Sequence, residues 1–169
     1  EKDITRLQTI TDRFSKIGSE PVLEKRDIIE DTKNTVDYLQ TRVSQQVNFH
    51  FEAPQHSIYV DINPALHSWT IENLVKNAID AMKGKGSLSI VISELEDIVK
   101  ISITDTGKGI PKNQFTKVFE PGFTTKKRGW GLGLSLTKRI VQEYHKGKIK
   151  VAHSEIGKGT TMQISYKTA

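Results

Sequence analysis

Cysteine, long apolar runs and an N-terminal signal pattern are all absent from this 169-residue chain. The lack of cysteine excludes disulfide bonds. A transmembrane helix needs about 20 consecutive, mostly apolar residues, and the sequence contains no such run. We therefore expect a cytoplasmic chain that does not itself enter a membrane.

The charge balance gives no sign of a nucleic-acid-binding protein. The formal net charge is +5, but the lysines are spread along the chain rather than gathered in one run. No RNP-like strand, zinc-ligand spacing or helix-turn-helix pattern accompanies them, so we expect most lysines to lie on a solvated surface and no nucleic acid to bind. With 36% hydrophobic residues, the chain suffices for one domain and one appended element.

Hydrophobic periodicity divides the chain into three parts. Residues 1–17 carry a narrow helical stripe and are predicted to pack as a helix on another helix. Gly18 and Pro21 interrupt that pattern, and residues 18–27 are predicted to form a linker. Residues 28–169 are predicted to form the globular domain.

The globular part reads as an α+β fold. Helices are predicted over 28–43, from the Asn63 cap to about 83, and from 131 or 132 to about 144. Strands are predicted over 47–51 and 58–62 as a pair, over 88–95 and 98–104 as a hairpin, and over 148–153 and 160–166 at the end. We expect a two-layer α/β sandwich whose mixed, mostly antiparallel sheet is covered on one face by helices.

One face of the predicted helix ending near residue 83 is polar. Asn73, Asn77 and Asp80 share that face because residues three or four apart are neighbours on a helix. Asparagine is a poor helix former, so this pattern asks for a reason. The side chains either serve for capping or for internal hydrogen bonding with solvent, or they face a hydrated magnesium ion, which prefers oxygen ligands.

Asp105 ends a predicted strand and is followed by Gly107 and Gly109. A carboxylate there can accept a hydrogen bond from an exocyclic amine, while the glycines let the chain turn closely around a flat base. An ordinary aspartate in a turn at the end of a strand explains the same pattern.

The segment 106–130 is long for a connection inside a compact domain, which is typical of a functional loop. Its portion 119–126 combines aromatic side chains with a lysine, as a lid over polyphosphate would require, although a solvated loop is the alternative. Gly129, Gly131 and Gly133 then lead into a predicted helix. Alternating glycines at the start of a helix are suited to a phosphate group, although they also occur in flexible loops.

These four segments, taken together and in this order, resemble the sensor histidine kinases. The stretch Glu72-Asn73-Leu74-Val75-Lys76-Asn77-Ala78 resembles the N box, and Asp105-Thr106-Gly107-Lys108-Gly109 the G1 box. Phe119-Glu120-Pro121 with Phe123 resembles the F box, and residues 129–134 the G2 box. The resemblance covers roughly residues 28 to 167, and residues 1–17 resemble the end of the second helix of a dimerisation and histidine-phosphotransfer domain.

The resemblance implies a Bergerat-type ATP site, shared with gyrase, the heat-shock chaperone of ninety kilodaltons and mismatch-repair ATPases. It implies that Asn77 coordinates Mg²⁺ and that Asp105 binds the adenine amino group. It places Asn73, Lys126 and the backbone N–H groups of Gly131 and Gly133 near the phosphates. Glu72, Asn73 and Lys126 form the expected catalytic set. The remaining expected nucleotide contacts are Asp80, Gly107, Gly109, Ile110, Phe119, Thr124, Thr125, Gly129, Leu132, Leu134 and Thr160.

The chain departs from the pattern of these families at two positions. Asp80 stands where many members have a lysine, so Lys126 or Arg128 is expected to meet more of the phosphate charge. Asn73 stands where the Bergerat ATPases have their water-activating glutamate. An amide is no general base, so transfer to a protein acceptor is favoured over hydrolysis.

None of the five histidines is followed by the phosphoacceptor pattern. The resemblance therefore implies that the γ-phosphoryl group of ATP passes to a histidine that this chain lacks. The expected partners are the histidine phosphotransfer domain of the same kinase dimer and a response regulator, and a parent kinase of this type can be anchored in the inner membrane. The alternatives are a nucleotide-binding regulatory module without transferase activity and a Bergerat-type ATPase.

Overall fold

The computed structural model describes residues 21–43, 45–123 and 133–169. Within them the chain forms β1 (Glu24–Asp27), α1 (Ile28–Gln40), β2 (Val47–Glu52), β3 (Tyr59–Ile62), α2 (Pro64–Ala81), β4 (Gly86–Leu95), β5 (Ile98–Asp105), α3 (Gly133–Arg139), β6 (Lys148–Glu155) and β7 (Gly159–Lys167). Two short 3₁₀ turns lie at Lys112–Gln114 and Lys117–Phe119, and a π-helical segment, Ile140–Tyr144, continues α3.

The main sheet has five strands in the order β2-β4-β5-β7-β6. Only β2 and β4 run parallel, and the other neighbours are antiparallel. The predicted hairpin of β4 and β5 is present, with Ile92 opposite Ile101, and Ile101 in turn lies opposite Ile164 on β7. The expected two-layer α+β fold with a mixed, mostly antiparallel sheet is confirmed.

Helix α2 packs on one face of this sheet and α1 packs beside α2, because each helix buries one apolar stripe. On α2, Ile71 and Val75 are fully buried against the sheet, as are Ile90 and Ile101 on the strands below. The side chain of Asn63 caps α2 by accepting a hydrogen bond from the backbone N–H of Leu66 at 3.1 Å. The sequence predicted this start, and the helix ends at Ala81, close to the expected residue.

Two details of the strand pairing differ from the prediction. The segments around 47–51 and 58–62 are strands, but they do not pair with each other: β2 joins the main sheet beside β4, whereas β3 pairs with β1. Part of the predicted linker is a strand. Glu24–Asp27 forms β1 by pairing with Tyr59–Ile62, although all four of its residues are charged. Asp27 ends β1 and caps α1 by accepting from the N–H of Ile29 at 3.1 Å. The predicted helix over 1–17 lies outside the described residues.

No helix within the described ranges is long and apolar enough to span a membrane. The third helical region ends at Tyr144, as the sequence predicted, whereas its predicted start at residue 131 or 132 lies outside the described residues. Its last five residues are π-helical rather than α-helical, a variation that is frequent near functional sites.

Candidate functional site

A cavity of about 510 Å³ opens between α2, the end of β5, the loop after it, β7 and the start of α3. This volume lies within the range of small-molecule sites. The sequence-predicted site residues that line it are Asn73, Asn77, Asp80, Asp105, Gly109, Ile110, Gly133, Leu134 and Thr160. The fold thus brings together residues that are up to 87 positions apart in the chain (Asn73 to Thr160).

The polar face of α2 forms one wall of the cavity. Asn73, Asn77 and Asp80 line it, whereas Ile71 and Val75 on another face of the same helix are fully buried in the core. The capping alternative for the asparagines does not hold, because both lie in the interior of the helix. The amide Nδ2 of Asn73 donates to Thr137 Oγ1 on α3 at 2.8 Å, which joins this wall to the next element.

Asp105 is held firmly at the bottom of the site. It is only 6% exposed, and its Oδ1 accepts hydrogen bonds from the backbone N–H groups of Gly107 at 2.8 Å and Thr160 at 3.2 Å. Burial raises the pKa of this carboxyl group, and the two N–H donors oppose that shift. Because both backbone donors use the same oxygen, the orientation of the carboxylate is fixed.

The two glycines after Asp105 have different roles. A Cβ on Gly107 would lie 2.6 Å from the backbone carbonyl of Ala81, so Gly107 permits close packing of the loop on α2 and does not line the cavity. Gly109 does line it, with a φ of +81°, and a Cβ there would collide with the backbone of Glu155. The expectation that both glycines shape the pocket directly is therefore met only by Gly109.

Two hydrogen bonds join the loop after β5 to β6 and to the β6–β7 turn. The N–H of Ile110 donates to Ser154 Oγ at 2.7 Å, and the N–H of Gly157 donates to the carbonyl of Lys108 at 2.8 Å. The β6–β7 turn therefore holds the loop segment that carries the cavity residues Lys108 and Ile110.

Apolar side chains from several elements complete the walls, as a flat aromatic ligand requires. Ile103 and Met162 lie directly opposite each other on β5 and β7, and both line the cavity. Sequence reasoning assigned no site role to Lys108, Pro111, Gln114, Val118 or Met162, although all line the cavity. The inward positions of β5 and β7 were readable from strand alternation, but the pairing that places Met162 beside Ile103 was not.

Three of the predicted site residues lie elsewhere. Gly107 packs against α2, as described above. Glu72 is 8% exposed, forms an ion pair with Lys76 at 3.1 Å and does not line the cavity. Phe119 is buried in the core, and Lys138 Nζ lies 5.9 Å from the centre of its ring. Thr124, Thr125, Lys126, Gly129, Gly131 and Leu132 lie outside the described residues.

The donor set is compatible with magnesium bound together with a ligand's phosphates. The described residues contain no group of three or more His, Cys, Asp or Glu side chains that could hold a metal alone. Asn77 and Asp80 offer oxygen atoms one helical turn apart on the cavity wall. Mg²⁺ commonly takes one or two protein oxygens and completes its shell with phosphate oxygens and water, so these residues fit that ion.

Known proteins match this chain in sequence. The family model for histidine kinase-, DNA gyrase B- and HSP90-like ATPases matches residues 65–169. The sensor histidine kinase ZraS of Escherichia coli is 40% identical over 121 residues, which are 72% of this chain and 26% of ZraS. Sporulation kinase E of Bacillus subtilis is 31% identical over 171 residues, covering 96% of this chain and 22% of that kinase. The chain thus spans about a quarter of the length of these curated relatives.

Solved structures match it in fold. The catalytic domain of histidine kinase ThkA in a nucleotide-free form superposes with a TM-score of 0.77 at 26% identity, covering 86% of this chain and 95% of that domain. ThkA in complex with the response regulator TrrA gives a TM-score of 0.73 at 25% identity, covering 99% of this chain and 49% of ThkA. With the family model matched over residues 65–169, the chain belongs to the family of histidine kinase-, DNA gyrase B- and HSP90-like ATPases.

Proposed function

We propose that this chain is the catalytic part of a sensor histidine kinase, which binds Mg-ATP and transfers the γ-phosphoryl group to a histidine on another domain. One observation carries the proposal: Asn77 on α2 and Asp105 at the end of β5 line the same cavity. The similarity to ZraS and to the ThkA catalytic domain supports it.

The base would lie at the Asp105 end of the cavity. The Asp105 carboxylate is oriented by the N–H groups of Gly107 and Thr160, and it can accept a hydrogen bond from the exocyclic amine of adenine. The apolar walls formed by Ile103 and Met162 would bury the faces of the ring. A buried acceptor that must be satisfied favours adenine over a base with an oxygen at the same position.

The phosphates would lie toward Asn73 and Asn77. Asn77 would hold Mg²⁺ through its side-chain oxygen, and Asp80 would add negative charge on the same side. When bound, the ion neutralises charge on the phosphates and on the transferring group. Lys108 is a cationic residue of the cavity wall within the described ranges, and Lys126 remains the proposed contact of the terminal phosphate.

Transfer to a protein is favoured over hydrolysis because of Asn73. Activation of water needs a base, and an amide has no useful proton affinity near neutral pH. The neighbouring Glu72 pairs with Lys76 and does not line the cavity, so it is not a replacement base in this arrangement. The protein would therefore act by positioning ATP and neutralising its charge, with an imidazole as the nucleophile.

The partners are proposed on the same basis. ThkA has been solved with the response regulator TrrA, and we propose a response regulator as the downstream partner of this chain. The phosphoacceptor would be the histidine phosphotransfer domain of the same kinase dimer.

The proposal can be tested with Asn77→Ala and a matched control. Asn34→Ala makes the same change at an exposed position of α1, away from the cavity. We expect calorimetry to show binding of a non-hydrolysable Mg-ATP analogue to the native chain and to Asn34→Ala, and a loss of at least about tenfold for Asn77→Ala. Equal affinities in all three proteins would contradict the site assignment.

A second experiment addresses the transfer itself. The chain is mixed with a separate helical-hairpin domain that carries a phosphoacceptor histidine, and radiolabelled ATP is added. Acid-labile, base-stable label on the hairpin supports the kinase. Tight binding of nucleotide without label would instead support a regulatory module, and steady release of phosphate would support an ATPase.

A further inference from the structure

A buried hydroxyl group joins the two helices that border the phosphate end of the cavity. Thr137 on α3 has no exposed surface. Its Oγ1 donates to the backbone carbonyl of Gly133 at 2.7 Å and lies 2.8 Å from Nδ2 of Asn73 on α2. The side chain therefore contacts one residue of each helix, and both of those residues line the cavity.

The Thr137 hydroxyl has only one hydrogen to donate, and this determines the orientation of the Asn73 amide. A hydroxyl carries one hydrogen, and the carbonyl of Gly133 can only accept. The hydrogen of Thr137 is committed to that carbonyl, so the bond to Asn73 must be donated by the amide NH₂ group. Because amide orientation in proteins is assigned from the hydrogen-bond network, this network places Nδ2 toward Thr137 and Oδ1 on the other side.

The Asn73 amide lies beside the cavity wall at Gly133. A Cβ built on Gly133 would lie 3.0 Å from Oδ1 and 3.3 Å from Nδ2 of Asn73, so the amide is adjacent to Gly133, itself a wall residue, with its oxygen slightly nearer. Without the Thr137 hydroxyl, no partner among the described residues would distinguish the two orientations of the Asn73 amide, and α3 would lose this hydrogen-bonded link to α2.

We propose that Thr137 is a positioning residue for metal-dependent nucleotide binding. Its hydroxyl commits the Asn73 NH₂ group to α3, which leaves the carbonyl oxygen of this cavity residue as the group for a ligand, and it ties the first turn of α3 to α2. An acceptor at this position favours a donor, such as a water molecule of a hydrated divalent cation, over a bare phosphate oxygen. This inference rests on the proposed function, because it assumes that the cavity takes Mg-ATP.

The test compares nucleotide binding with and without magnesium. The substitutions are Thr137→Val, which removes the hydroxyl and keeps the shape, and Thr137→Ser, which keeps the hydroxyl. Thr70→Val is the matched control, because Thr70 is also a fully buried helical threonine that donates to a carbonyl four residues back, that of Leu66 at 2.9 Å. The probe is a non-hydrolysable ATP analogue, measured by calorimetry in excess Mg²⁺ and in chelator.

We expect Thr137→Val to weaken binding of the Mg-nucleotide by roughly three- to tenfold, the range for loss of one hydrogen bond, with little change in chelator. Thr137→Ser and Thr70→Val should retain native affinity. In an Asn73→Ala background, Thr137→Val should cause no further loss, because the two groups act through one interaction.

Three results would overturn the inference. One is unchanged Mg-nucleotide affinity in Thr137→Val. Another is an equal loss with and without magnesium, which a purely structural role would give. The third is an equal loss in Thr70→Val. Should Thr137→Val fail to fold, Thr137→Cys, whose thiol is a weak hydrogen-bonding group, must show the same selective loss. A native chain that binds no nucleotide in either condition would instead refute the proposed function.

Discussion

The carboxylate of Asp105 and the backbone N–H of Thr160 are 3.2 Å apart across 55 residues of sequence, and this bond joins the end of β5 to the start of β7. The N–H of Gly107 donates to the same oxygen at 2.8 Å. The main chain thus determines which oxygen faces the protein and which one is left for a ligand. In the proposed function, this arrangement would present one oxygen of a buried carboxylate to the edge of a base.

Asp105→Asn should reverse the polarity of that edge. The amide oxygen can still accept from the N–H groups of Gly107 and Thr160, which turns its NH₂ group toward the base. Two donors would then meet at the adenine amine, and we expect ATP affinity to fall by roughly 10- to 100-fold. The affinity for a 6-oxopurine nucleotide should fall less than the affinity for ATP, or it should rise. Competition binding would measure both affinities.

The control for this change is Asp97→Asn, which makes the same substitution in the exposed turn between β4 and β5. It should leave both affinities unchanged. An equal loss of ATP and of the 6-oxopurine nucleotide in Asp105→Asn would indicate damage to the pocket rather than altered recognition.

Hydrophobic periodicity predicted the helices and strands better than it predicted which strands pair with each other. Helix α2 was readable because Asn63 and Pro64 mark its start and its apolar stripe follows the helical period. Strand β1 was not readable, because its residues are all charged and its position depends on backbone pairing with β3. The parallel pairing of β2 with β4 likewise leaves no local signal, since strand alternation reports the buried face and not the hydrogen-bonded neighbour.

The same distinction applies to the site. Asn77 and Asp105 were readable because polar residues on an apolar helix and at the end of a strand stand out. Thr137 was not, because a threonine inside an amphipathic helix has no distinctive pattern, and the role proposed for it depends on the three-dimensional approach of α3 to α2. Phe119 was misplaced for the converse reason: an aromatic side chain in a loop has the same sequence pattern whether it anchors a lid or joins the core.

Gly109 and Gly157 form a natural pair for separating strain from crowding. Their φ angles are +81° and +80°, but a Cβ on Gly109 would meet the backbone of Glu155, whereas nothing lies within 4 Å of one on Gly157. Gly157→Ala should therefore cost about 1 to 2 kcal/mol of unfolding free energy, the penalty of the left-handed conformation alone. Gly109→Ala should cost at least about 2 kcal/mol more than Gly157→Ala, since the backbone near Glu155 must shift as well.

Denaturant unfolding of the two variants measures this difference directly. Nucleotide affinity gives a second comparison, because only Gly109 lines the cavity. Similar unfolding free energies for both variants would mean that the loop moves away from β6 at little cost.

Asp80→Lys should reduce the dependence of ATP binding on magnesium. Asp80 lines the cavity one turn after Asn77 and is exposed. Its negative charge repels the phosphates when no cation is present, and a lysine would attract them. Since solvent screens exposed charges, we expect metal-free affinity to rise only about two- to fivefold. Asp61→Lys, an equal charge change at an exposed position of β3, should have no such effect. A rise of the same size in Asp61→Lys would assign the effect to overall charge.

The stability of the fold should fall as the pH drops below about 6.5, because two histidines are buried in neutral form. Burial lowers the pKa of His67 to about 3 and that of His145 to about 4. Nε2 of His145 accepts a hydrogen bond from the N–H of Asn63 at 3.1 Å, so protonation there would remove an acceptor. Between pH 6.5 and these lower values, the unfolded chain binds more protons than the folded one. Their contribution is therefore complete above pH 6.5 and is lost on acidification.

At pH 5 this linkage amounts to about 2 kcal/mol for each histidine, since one pKa unit corresponds to about 1.4 kcal/mol. Denaturant unfolding at several pH values between 7.5 and 5 measures the slope. His145→Asn should make the dependence of unfolding free energy on pH shallower. The difference in bound protons between the unfolded and folded chain should fall by about one, because one buried group no longer titrates on unfolding. Parallel slopes for the native chain and His145→Asn would show that His145 is not held neutral in the fold.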